Sequence, residues 1–92
     1  MKELYKEVCD YIETHNNIGD SLYNGILLEV YNEYSYDYME KERHNENNGK
    51  ILTLQDLQSI ANNVIDSDYF GESLTEILIE YIWDGIRKHK EN

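Results

Sequence analysis

Tyr23, Leu27, Val30, Tyr31, Tyr34 and Tyr38 recur three and four residues apart, and no proline occurs anywhere in the chain. Wound at helical pitch, these six residues fall within an arc of about 100°. With proline absent, nothing breaks that winding from inside. A second period competes in the same stretch, because Tyr34, Tyr36 and Tyr38 alternate with Ser35 and Asp37. A strand there could pair with residues 50–54 across the Asn47-Asn48-Gly49 turn signal, making a short β-hairpin over 34–54. The helical template covers more of the segment. A helix is therefore the expectation, and the hairpin the minority reading.

Three further segments have the same period. Leu4, Tyr5, Val8, Tyr11 and Ile12 mark a helix within residues 2–16, with Gly19 suited to a left-handed cap behind it. Asp20 or Ser21 offers an N-cap for the tyrosine-bearing helix. Residues 41–52 read as the longest connection, fraying from Lys41 into the Asn45–Gly49 run. Thr53 and Asp56 form a capping arrangement ahead of Leu54, Leu57, Ile60, Ala61, Val64 and Ile65. Ser73 and Glu76 form another ahead of the last helix, with a start near Asp68 as the alternative, and the core face there is Phe70, Leu74, Ile77, Leu78 and Tyr81. The expected fold is a small all-α, four-helix bundle-like single domain spanning 1–92.

Charge is the compositional outlier. Nineteen acids face eight bases, a net charge of −11 on 92 residues. Such a surface disfavours direct binding to nucleic acid, because phosphate contacts need Lys and Arg. It disfavours an anionic membrane surface for the same reason, and no apolar run approaches a membrane span. The lone Cys9 cannot pair internally, which points to a reducing, cytoplasmic setting and to a packed thiol rather than a nucleophile. A basic partner protein fits the sign of the charge; plain solubility is the competing explanation.

The acids are grouped on helix faces. Glu3, Glu7 and Asp10 share one side of the first helix, with Lys6 in reach of Asp10. Glu29, Glu33, Asp37 and Glu40 fall within about 80° on the second. Glu72, Glu76, Glu80 and Asp84 follow at four-residue intervals on the last. Like charges at that spacing cost roughly 0.2–0.5 kcal/mol per pair, and no base interrupts the second and last stripes. The third helix shows instead a nearly uncharged face of Gln55, Gln58, Ser59, Asn62 and Asn63. Carboxylates one helical turn apart lie about 6 Å from each other along the axis, comparable to the step between phosphates. Such stripes can imitate a phosphate backbone; the alternative is a solvated face.

Tyr36 lies on the far side of the acids in the helical projection, without a core role. Ile79, Trp83 and Ile86 form a second apolar strip beside the last stripe, available to a partner or to a homodimer unless the bundle buries it. Several chemical sites fail on spacing. The loop beginning Asp66-Ser67-Asp68 lacks the calcium ligands at its fifth and twelfth positions, Phe70 and Ile77. His15, His44 and His89 have no zinc-ligand spacing, and no nucleotide or nucleophile-elbow motif occurs. No cofactor, metal or catalytic residue is expected, and the chain reads as a non-enzyme.

In size, acidity and helix pattern the chain resembles the short acidic proteins that phages and mobile elements encode against host defences. Among those are nucleic-acid mimics that block restriction enzymes or CRISPR effectors. It is similar in the same respects to helical immunity proteins that neutralise nuclease toxins. The likeness covers composition and helix pattern along the whole chain and carries no residue across. It implies a non-catalytic inhibitor of a basic nucleic-acid-binding protein in the host cytoplasm. The expected contact residues are Glu29, Glu33, Tyr36, Asp37, Glu40, Glu72, Glu76, Glu80, Trp83 and Asp84.

Overall fold

The computed structural model describes residues 1–66 and 75–91, with side chains from residue 79 onward in the second span. Among these residues four α-helices follow in order: α1 (Lys2–Thr14), α2 (Ser21–Arg43), α3 (Leu54–Ile65) and α4 (Thr75–Glu91), with a 3₁₀ turn at Ile18–Asp20 before α2. The all-α expectation holds, and no strand occurs among the described residues. Residues 34–43 are helical, so the hairpin alternative is overturned. The reason is packing: the helical twist puts Tyr31 and Tyr34 on the same buried side as Leu27 and Val30, whereas a strand would have split them between two faces.

The central element is α2, and α1, α3 and α4 all pack on it. Its Ile26, Leu27, Val30, Tyr31 and Tyr34 meet Leu4 and Val8 of α1, Leu57, Ile60, Ala61 and Val64 of α3, and Ile82 and Ile86 of α4 in one buried cluster. Each large side chain removed from water in this way contributes roughly 1.5–3 kcal/mol. Tyr38 is half-buried at the edge of the cluster, its ring edge-on to Tyr34 at 6.4 Å. Gly85 lets α4 approach α3 closely, since a Cβ there would lie 2.8 Å from Ile60 Cγ2.

Helix ends depart from the sequence reading in two places. α1 stops at Thr14, and Gly19 is not left-handed but lies in the 3₁₀ turn. The helix ends where the His15–Gly19 run begins, as expected, and side chains close it: Thr14 Oγ1 donates to the Asp10 carbonyl at 3.0 Å, and the His15 ring donates to that of Tyr11 at 2.9 Å. Asn24 of α2 then donates to the His15 carbonyl, also at 2.9 Å. α2 in turn does not fray at Lys41 but continues to Arg43. Its stop is a Schellman closure built on Asn45, whose φ is 55°. The Asn45 amide bonds the Glu42 carbonyl at 3.2 Å and the Glu46 amide bonds that of Lys41 at 2.8 Å.

The connection from α2 to α3 is fastened at both ends. Asn48 is buried and donates to Glu42 Oε1 at 3.0 Å, while the Leu52 amide donates to the Tyr34 hydroxyl at 3.0 Å. Thr53 and Asp56 form the expected capping box at the start of α3. The proposed cap at Ser73, the calcium-like turn after Asp66 and the core positions Phe70, Leu74, Ile77 and Leu78 lie outside the described residues or side chains.

Candidate interaction surface

The stripe on α2 is where structure adds most to sequence. It faces α4 along much of its length. Glu33 Oε2 accepts the indole N–H of Trp83 at 2.8 Å, fixing a half-buried ring against α2. One turn on, Asp37 Oδ2 meets Lys90 Nζ at 2.6 Å, with side chains only 14% and 11% exposed. Lys41 also approaches Asp37, at 3.7 Å. Glu40 Oε2 takes Arg43 at 2.9 Å and lies 3.6 Å from His44 Nε2. Glu29 is half-buried and, among the described residues, is in no ion pair.

The expectation of a stripe without bases is therefore corrected for α2. No base lies between its acids, but Lys41 and Arg43 reach back four and three residues from beyond the last acid, and Lys90 arrives from α4. Asp84 is served in the same way by Lys88 at 3.0 Å and Arg87 at 3.4 Å. The Lys88 hydrogen bond holds the Asp84 carboxyl below the usual carboxylate range; desolvation, next in size, opposes it, and the charges of Lys88 and Arg87 add to the lowering. Glu80 is exposed. Glu72 lies outside the described residues; Glu76 lies within α4, but its side chain is not described.

The strip of Ile79, Trp83 and Ile86 turns inward. Ile86 is 1% exposed in the core, and Ile79 and Trp83 are half-buried. Tyr36, by contrast, is 59% exposed on the outward face of α2, in line with Leu28 and Met39.

Unpaired carboxylates collect on α1. Glu3, Glu7, Asp10 and Glu13 are all exposed, and among the described residues none of them is in an ion pair, Lys6 included. At 100° per residue they occupy one side of the helix, opposite Leu4 and Val8. Glu13 was missing from the sequence-derived stripe; its signal is the three-residue step from Asp10. On α1 also, a hydrogen bond with Cys9 is the main influence raising the Tyr5 pKa above the ordinary tyrosine range.

Among the described residues no group of His, Cys, Asp and Glu is placed to hold a metal ion, and no helix is long and apolar enough to cross a membrane. No protein-family model matches the chain, and no curated protein or solved structure shows significant similarity to it.

Proposed function

We infer that the chain is a non-catalytic acidic binding protein. It inhibits a basic nucleic-acid-binding protein by presenting carboxylates where that target expects phosphates. The observation that carries this reading is the row Glu3, Glu7, Asp10 and Glu13: four exposed acids on one side of α1, none of them held in an ion pair although Lys6 lies among them. The α2 acids from Glu33 to Glu40 are, by contrast, spent on internal contacts. Like charges held together at a cost in stability are what a surface kept for a cationic partner would look like. The target class is a nuclease or CRISPR effector with a Lys- and Arg-lined groove, as in anti-restriction or anti-CRISPR inhibition by a phage or mobile element. A nuclease toxin neutralised by an immunity protein involves the same chemistry. Exposed Glu80 of α4 and exposed Tyr36 of α2 are further contacts for such a partner.

The test is capture from a nuclease-treated host lysate at low salt, with the native chain beside a variant carrying Glu3→Gln, Glu7→Gln, Asp10→Asn and Glu13→Gln. The native chain should retain a basic, nucleic-acid-handling protein that heparin releases. The variant should lose it while melting at the same temperature or higher. Capture that survives neutralisation, or that ignores salt, would overturn the reading.

A further inference from the structure

A pocket of about 440 Å³ lies between the C-terminal halves of α2 and α4, with Asn47, Asn48 and Gly49 of the following connection completing its lining. That volume suits a small ligand. Its charge departs from that of the rest of the chain. Lys41, Arg87 and Lys90 line it, three of the eight bases in a protein of net charge −11. Against them stand two carboxylates, Asp37 and Glu91, which leaves one positive charge in excess. Asp37 is shared by Lys90 at 2.6 Å and Lys41 at 3.7 Å, so Lys41 is left short of a partner of its own. Arg87 is held loosely, 3.4 Å from Asp84, with its side chain 67% exposed. Its planar fork can turn onto an oxyanion at little cost.

The remaining wall is apolar. Ile86 lines it together with Trp83, whose ring is already oriented by its bond to Glu33. Two effects oppose an anion here. The carbonyl ends of α2 and α4 carry about half a negative charge each, but the Asn45 and Glu46 amides bond the carbonyls of Glu42 and Lys41 at the end of α2, and the His89 ring bonds the Gly85 carbonyl of α4. The acids elsewhere on the protein are screened beyond roughly 8 Å at physiological salt, so the local excess decides.

We propose that this pocket binds a small anion carrying a flat apolar ring. Lys41 and Arg87 take its carboxylate or phosphate, and the ring rests against Trp83 and Ile86. The site is separate from the acidic face of α1 and does not depend on its role.

The test is an NMR titration of the full ¹⁵N-labelled chain near physiological salt, with benzoate, phenyl phosphate and uncharged benzyl alcohol as probes. Trp83 is the only tryptophan, so its indole N–H gives one assignable reporter in the pocket wall. At least one of the two anions should shift that resonance to saturation in the millimolar range, and the tighter of them identifies the preferred oxyanion. Benzyl alcohol should bind much more weakly. Lys41→Gln and Arg87→Gln should each weaken the anion by roughly tenfold, the loss of one charge-assisted hydrogen bond. Arg43→Gln, on α2 but outside the lining, should change nothing. If Lys41→Gln unfolds the chain, the exposed Arg87→Gln decides alone. Failure of both anions to saturate, benzyl alcohol binding as tightly, or affinity unchanged in Arg87→Gln would each overturn the proposal.

Discussion

Lys90 in the last turn of α4 holds Asp37 of α2 at 2.6 Å, a contact between residues 53 positions apart, while its ammonium lies 5.4 Å from the centre of the Tyr34 ring. Both charges are largely withdrawn from water, so removing one strands the other. Asp37→Asn should cost about 2–3 kcal/mol, at or just below the lower end of the range for a broken buried pair because some exposure remains. The double variant Asp37→Leu, Lys90→Met should recover most of that loss. Urea denaturation of the three proteins checks both expectations; a double variant no more stable than Asp37→Asn would show that the stranded Lys90 charge is not the source of the loss.

Gly85 and Gly25 should respond to alanine in opposite directions. Both are helical, and alanine favours a helix by about 1 kcal/mol over glycine. At Gly25 nothing lies within 4 Å of the added methyl, so Gly25→Ala should stabilise by about that amount. At Gly85 the methyl would come 2.8 Å from Ile60 Cγ2, part of a stiff, fully buried side chain. Overpacking of that kind costs roughly 1–3 kcal/mol, enough to cancel or outweigh the helical gain. Thermal melts of the two variants give the comparison directly.

Alkaline pH should weaken the fold through its tyrosines. Burial, the largest influence, raises the pKa of Tyr34 and of Tyr23, although the Leu52 amide bond to Tyr34 works the other way. The folded chain thus holds these protons more tightly than the unfolded chain. The associated stability is fully present below about pH 10, the ordinary tyrosine value, and is lost as pH rises through the raised folded value. Tyr23→Phe should flatten this alkaline decline. Tyr34→Phe should flatten it too, but at neutral pH it should also cost about 1–3 kcal/mol, because the buried Leu52 amide loses its acceptor. Urea midpoints measured from neutral to strongly alkaline pH separate the two.

Thr53→Ala tests the start of α3. Thr53 accepts the Asp56 amide at 3.3 Å and its own amide donates to Asp56 Oδ2 at 2.9 Å. Losing the threonine oxygen should cost about 1 kcal/mol. A loss near zero would mean that the second half of the box suffices.

The elements were legible wherever a local rule governs them. The tyrosine spacing of α2 and the Thr53–Asp56 box both concern residues within a turn or two of each other, and both appear as expected. Contacts between distant residues were not legible. A helical projection shows that Glu33 and Asp37 share a face, but not that α4 will cover it with Trp83 and Lys90. Nor does a projection decide between a partner and the core for Ile86, which the core takes. Asn45 was read as part of a frayed loop because its left-handed role depends on amides beyond it closing onto Lys41 and Glu42.

The two bonds joining α4 to the acid face of α2 also set an order of assembly. Trp83 and Glu33 are 50 positions apart, and Lys90 and Asp37 are 53, so neither bond can form until the intervening chain is in place. The α2–α3 hairpin, with Leu52 and Thr53 at its turn, needs much shorter closures and should form earlier. Until α4 arrives, Asp37 lacks its closest counter-ion. The docking of α4 is thus the late step, and its release the natural first step of unfolding.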